Sequence, residues 1–266
     1  MEKMKSILYT LLVFGIVSIA SFGCKKKSST SSITYGSMSD IDGNSYKTIT
    51  IGTKTWMAEN LRVTKYNDGT AIANVTKASA WNSVAASTGV YCTYNNTTNA
   101  DSIITNGRLY NFKAELSGKL CPTGWHVSTI DDWGDLTNNL IANGYSYNGS
   151  TSGPFSYDIG KSMANTTGWD SDPTVSDIGN NPSTNNTSGF SAIPSGSIDD
   201  FNNTSSNSFS FNNMGKNGYW WSPNGKVNDA GNYRELSYNK PDWSMSASYS
   251  FPNEGSAGLS VRCVKN

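Results

Sequence analysis

The stretch "TIDDWGDLTNNLIA", Thr129 to Ala142, spaces Trp133, Leu136 and Leu140 three and four residues apart, which sets their side chains on one face of a helix. Ser128 and Thr129 stand three residues ahead of Asp131 and Asp132. This is the arrangement of a capping box with aspartate in the usual place of glutamate. Both aspartates then fall in the first turn, where the macrodipole favours negative charge by about 0.3–1 kcal/mol. The spacing predicts a helix over 129–142 in the middle of a chain that is otherwise cut into short runs. Ahead of it, "GVYCTYNN" and "GRLYNFKAEL" read as short aromatic strands or edges, their rings directed to a core. Behind it come "GYWWSPNG", "YRELSYN", "WSMSASYSF" and "GLSVRCVKN", strand-like runs separated by Gly, Pro, Asn and Asp. Strands framing a mid-chain helix predict an α+β fold.

The first folded segment, "DIDGNSYKTITIGTKTWMAENL", opens on the turn signal Asp42-Gly43-Asn44 and continues with Tyr46, Ile49 and Ile51 among polar residues. It reads as a hairpin with a strand arm. Asp40, Asp42 and Asn44 also have the alternate spacing of a calcium loop, but the glycine comes too early and no glutamate closes the set, so the turn reading prevails. Trp56, Met57 and Leu61 follow at near-helical spacing. From Tyr145 to Met214 the chain is dominated by Asn, Ser, Thr and Gly, with anchors such as Phe155, Trp169 and Phe190. Such a length of irregular structure is uncommon within a domain. The anchors predict long ordered loops pinned by aromatic rings.

The amino terminus, "MEKMKSILYTLLVFGIVSIASFGCKKK", joins Lys3 and Lys5 to an apolar run and then to small residues before Cys24. That is the pattern of a secretory signal peptide over 1–23. The run falls short of the roughly 20 apolar residues a membrane span requires. "SFGC" resembles the lipobox of bacterial lipoproteins, which implies lipidation of Cys24 and a membrane-tethered chain. Lys25, Lys26 and Lys27 each add on the order of 1 kcal/mol near an anionic leaflet. Residues 24–34 then form a flexible linker, and 35–266 the folded domain. The expected location is the bacterial cell envelope, periplasmic or surface-facing, outer membrane included. Twenty basic and twenty acidic residues balance, so no net field draws the chain to nucleic acid. Only 15% of residues are charged and 12% are aromatic, which suits a surface wetted by amides and hydroxyls.

In that oxidising setting Cys92, Cys121 and Cys263 favour one disulfide and one remaining thiol. Three pairings are open, and three buried free thiols are the alternative. Cys121–Cys263 is the favoured pair, since closing so long a loop constrains the unfolded chain by roughly 4–5 kcal/mol in the entropy picture. His126 is the only histidine. One imidazole without a HExxH or CxxC companion makes a poor zinc site, and no GxSxG elbow supplies a nucleophile. We therefore expect His126 to be scaffold, with no catalytic residue, no metal and no cofactor.

The segments "DIDGNSYKTITIGTKTWMAENLRVTKYNDGT", "RLYNF", "LCPTGWHVSTIDDW", "SGFSAIPSG", "GYWWS" and "SVRCVKN" occur in this order. Together they resemble the Fibrobacter succinogenes major paralogous domain, a family of secreted proteins and lipoproteins, over nearly all of 39–266. Ser128 after "GWHV" and Pro223 after "WWS" depart from its pattern. "GWHVSTIDDWGDL" and "SVRCV" are more distantly similar to signatures of the formylglycine-generating-enzyme-like branch of the C-type lectin fold. That similarity implies a C-type lectin-like domain with small antiparallel sheets, about two helices and long loops. It does not imply the enzyme, which uses a pair of cysteines near the carboxyl end where this chain has only Cys263.

These readings point to a membrane-anchored, non-enzymatic binding module for an extracellular or periplasmic glycan or protein partner. The candidate ligand-binding residues are Trp220, Trp221, Asn239, Asp242 and Trp243: ring faces for sugar planes, amides and carboxylates for hydroxyls. Adjacent tryptophans on a strand point to opposite faces, so at least one of Trp220 and Trp221 is expected in the core. "KPDW" superficially resembles the Pro-centred sugar motif of C-type lectins, but Lys240 stands where a ligand is needed. Two alternatives come from other classes. One is a glycoside hydrolase using the adjacent pairs Asp131–Asp132 or Asp199–Asp200. The other is a structural envelope assembly component with an exposed apolar patch.

Overall fold

In the computed structural model the described residues are 32–84, 87–198, 209–223, 231–244 and 257–266. The signal segment, Cys24 and its lysines, and the Asp199–Asp200 pair lie outside them. A five-stranded antiparallel sheet places Gly36–Ser39, Ser45–Ile51, Lys54–Met57, Cys263–Lys265 and Trp125–Val127 side by side in that order. The last strand of the chain is therefore inserted between the amino-terminal hairpin and the strand that carries His126. The first turn is the one the sequence announces. Asp40 accepts the backbone N–H groups of Asp42 and Asn44, the Asn44 amide and the Tyr46 hydroxyl, and Gly43 takes a φ of 80°. An aspartate turned back on its own backbone in this way accounts for the calcium-like spacing. Trp56 and Met57 do not lie on a helix. They occupy the strand Lys54–Met57, and their burial comes from alternation across the sheet.

The second sheet has nine strands. Along its path run Trp243–Ser244, Tyr233–Ser237, Asn217–Trp221, Ser195–Ile198, Gly258–Leu259, Leu109–Asn111, Val90–Cys92 and Ala73–Asn74, with Phe211–Met214 pairing to Ser195–Ile198 off that path. It departs from the expected small antiparallel sheets in size and in strand direction. Asn217–Trp221 pairs parallel to Ser195–Ile198, and Ala73–Asn74 parallel to Val90–Cys92. Parallel pairs need a crossover. Here the strand Phe211–Met214 and the helix Ala78–Val84 lie in those connections.

The predicted helix is present as Ile130–Ala142, with Thr129 as its cap and a complete capping box to Asp132; Trp133, Leu136 and Leu140 are buried on one face. The expectation of about two helices is exceeded. Ala78–Val84, Ala100–Asn106, Phe112–Leu116 and Gly160–Met163 add short α-helices among the described residues. Two of them are started by asparagines, Asn99 accepting from the Ser102 N–H and Asn111 from the Ala114 N–H. "GRLYNFKAEL" is thus half strand and half helix. Among the described residues no helix is long and apolar enough to cross a membrane.

Strand alternation builds two main cores. Met57, Trp221 and Cys263 enter one; their chain neighbours Trp56, Trp220 and Val264 enter the other, beside Trp133, Leu136, Leu140 and Phe190. Trp169 and Phe190 anchor the long loops as expected, both buried; the Phe155 side chain is outside the described set. The disulfide Cys121–Cys263 spans a separation of 142 residues and ties the segment ahead of His126 to the terminal strand. The architecture is α+β.

Candidate functional site

The family-like motifs meet at one buried point. Asn60, from "MAEN", accepts the Trp220 indole N–H and the Arg262 Nε–H, both at 2.9 Å. Its amide nitrogen donates to the Asn106 carbonyl at 2.9 Å, Ser195 Oγ at 2.8 Å and Ser260 Oγ at 3.2 Å. Arg262, from "SVRC", donates further to the carbonyls of Met57, Phe190 and Ser191 and lies 4.8 Å over the Phe190 ring. Asn60, Trp220 and Arg262 are each 0% exposed. Burial pushes the Arg262 guanidinium down to about 9, so it keeps its charge at neutral pH while carbonyl dipoles replace water. Residues from five distant segments are joined here by a buried hydrogen-bond network.

His126 has a comparable task at the surface. Its Nε2 lies 2.8 Å from Asp132 Oδ2 and its Nδ1 2.6 Å from Asn266 Oδ1. Asp132 also accepts the Thr129 N–H and hydroxyl and, through Oδ1, Lys54 Nζ at 2.6 Å. The Asp132 bond raises the pKa of His126, with Asn266 adding to it against the cost of partial burial. Burial alone would raise Asp132, but bonds from His126, Lys54 and Thr129 outweigh it and hold its carboxyl far below the usual range. Both ring nitrogens of His126 are engaged in these two bonds. The cluster clamps the carboxyl-terminal Asn266 to the start of the long helix. Asp131 faces solvent while Asp132 is buried, so this adjacent pair does not share a cleft.

The candidate ligand-binding residues separate. Trp220 and Trp221 are 0% and 1% exposed, one in each core, and Trp221 Nε1 donates to the Tyr110 carbonyl at 2.7 Å. Their ring faces are covered, a correction that follows from a strand packed on both sides. Asn239 is exposed and accepts from Ser237 Oγ at 2.8 Å. Asp242 is half-buried near two further acids, Asp158 and Asp177. Trp243 pairs through its backbone with Leu236; its side chain is outside the described set. Burial raises the pKa of Asp158, with the charges of Asp242 and Asp177 adding to it, and burial likewise raises Asp177. Sequence reasoning missed this grouping because the three acids come from separate loops. Among the described residues no histidine, cysteine and acid side chains are gathered as a metal-holding group. Cys92 is a free thiol, buried, and burial raises its pKa.

Among the described residues lie two open grooves of note. The larger, about 390 Å³, lies between the turn after Ile51 and the long helix, with Thr53, Asn138 and Asn139 on its walls beside the Lys54–Asp135 ion pair. The smaller, about 260 Å³, is lined by Tyr94, Asn95, Thr97, Ser102, Asn106 and Met214 together with Gly107. Neither was anticipated, since each joins segments distant in sequence.

The antiparallel and mixed sheets, the capped helix and the buried motif hub define an α+β domain. The model of the Fibrobacter succinogenes major domain matches residues 49–265, and the chain belongs to that family. No curated protein and no solved structure matches it.

Proposed function

We propose that the chain is a lipid-anchored, extracytoplasmic binding module without enzymatic activity, held to the envelope through Cys24 and engaging a glycan or a protein partner there. The finer fold reading, a C-type lectin-like domain, goes with it and is supported by the antiparallel hairpins and the long loops pinned by buried rings. One observation carries the functional reading. Trp220, His126, Asp132, Cys121 and Cys263, which stand out in the sequence, and Asn60 and Arg262, which the fold brings to Trp220, are all engaged in internal bonds. The described surface carries exposed amides and hydroxyls and the exposed rings of Tyr147 and Tyr157, among acidic and basic side chains of both signs. The test is a pull-down from envelope fractions and isolated cell-wall polysaccharide with the purified protein, alongside protease shaving of intact cells. Saturable capture of one envelope component supports the proposal; failure to retain any of them removes it.

A second reading, a carboxylate-dependent glycoside hydrolase, is favoured by one observation only: Asp158 and Asp177, from different loops, are buried acids with raised pKa near Asp242. It predicts reducing-sugar release from a polysaccharide that is abolished in Asp158→Asn. Binding without release favours the module.

A further inference from the structure

We infer that the groove beside Tyr94 is a subsite for one neutral sugar ring of a glycan chain; the inference rests on the binding-module reading above and gives it a location. The chemistry of the walls points to that ligand class. Tyr94 and Met214 supply apolar surface, and Asn95, Thr97, Ser102 and Asn106 supply amides and hydroxyls. None of the residues that line the groove carries a charge. A phosphate, carboxylate or ammonium ligand would lose hydration there without gaining a counter-charge. A sugar ring instead has a C–H face for the tyrosine and hydroxyls for the amides. The volume of about 260 Å³ lies just under the range of roughly 300–1,000 Å³ typical of small-molecule sites, a size for one ring.

The groove is also fixed in shape before any ligand arrives. The Tyr94 ring packs 5.2 Å from Phe211, and its hydroxyl takes the backbone N–H of Met214. Its edge lies so close to Gly196, where φ is +64°, that a Cβ there would come within 2.8 Å of Cε2. On the opposite wall the Asn106 carbonyl is held by Asn60 Nδ2 at 2.9 Å and Ser195 Oγ at 3.1 Å, so the buried hub positions this wall directly. Asn95 and Asn96 take consecutive left-handed conformations, φ 51° and 53°, which place an exposed amide at the rim. A rigid ring opposite fixed polar groups binds with little ordering penalty. The larger groove lacks an aromatic wall, and its charged residues, Lys54 and Asp135, already pair with each other.

The experiment is titration calorimetry of the full protein with short neutral oligosaccharides of the cello, xylo, manno and chito series, repeated on Tyr94→Leu and Asn95→Gly. Asn95→Gly removes the amide but suits the positive φ, so it keeps the test open should Tyr94→Leu fold poorly; Tyr94→Phe retains the ring and should retain binding. We expect saturable binding to at least one series and a loss of about tenfold in affinity in each of the first two variants, with the melting temperature unchanged in Asn95→Gly. Sugar binding that survives both variants overturns this assignment and leaves the binding-module reading standing. Failure to bind any neutral oligosaccharide also overturns it, and the envelope pull-down then decides separately whether the module reading stands.

Discussion

Asn60→Ala is the substitution whose effect follows most directly from the buried hub. It removes the acceptor of the Trp220 indole N–H and the Arg262 Nε–H, both 2.9 Å away, in a place where all three residues are 0% exposed. Each buried donor left without a partner costs about 1–3 kcal/mol, and more when it is charged. The amide donor to Asn106, Ser195 and Ser260 is lost as well. The two orphaned donors and the small void together amount to about 3–6 kcal/mol, against a total stability of about 5–15 kcal/mol for a domain. At about 2–4 °C per kcal/mol for a chain of this size, the melting temperature should fall by about 6–24 °C. Calorimetry or circular dichroism measures it. Asn60→Asp keeps the acceptor and adds a counter-charge for Arg262, so its loss should be smaller. Asn239→Ala, at an exposed position, should stay within about 0.5 kcal/mol. An Asn60→Ala protein that melts within about 2 °C of the parent would refute the claim that the motifs meet in a stabilising hub.

Other outcomes follow from the same structure. Cys121→Ser or Cys263→Ser should cost about 2–4 kcal/mol, read as a lowered denaturation midpoint, while the parent shows the Cys121–Cys263 bridge in non-reducing peptide mapping. Cys92, buried and with its pKa raised by burial, should resist alkylation until the protein is denatured, checked by mass spectrometry with and without denaturant. The His126–Asp132 clamp gives stability a signed pH dependence. The contribution of His126 is complete below its ordinary value of 6.5 and disappears as pH rises through its higher folded value. That of Asp132 is present above 3.8 and disappears as pH falls through its lower folded value. Because His126 is partly exposed, its share should stay under about 1 kcal/mol, seen as a shallow decline in melting temperature on the alkaline side.

The sequence made the local features readable. The helix from Ile130, its aspartate-closed capping box, the Asp42-Gly43-Asn44 turn and the strands of the amino-terminal hairpin each depend on residues a few positions apart. The disulfide was readable for a different reason, since the expected compartment and the cysteine count left few choices. Local signals failed where one residue type has two uses. Asn111 lies in a stretch that reads as strand, yet its side chain starts a helix. Trp56, Met57 and Leu61 had helical spacing, but two of the three are strand neighbours pointing into opposite cores. Alternation placed one of Trp220 and Trp221 inside; that both are inside depends on the second face being covered, which is a tertiary fact. The hub of Asn60 and Arg262, the acids Asp158, Asp177 and Asp242, and both grooves unite residues far apart in the chain, and no periodicity encodes them.

The account stands on His126 and its neighbours being structure and not chemistry. His126→Gln, followed both by thermal melting across pH and by capture of the envelope component that the parent retains, tests this most directly. The predicted result is a modestly lower melting temperature, a lost alkaline decline and unchanged capture. Loss of capture, or loss of any turnover found in the parent, with an unaltered melting profile would contradict it and place His126 in a working site.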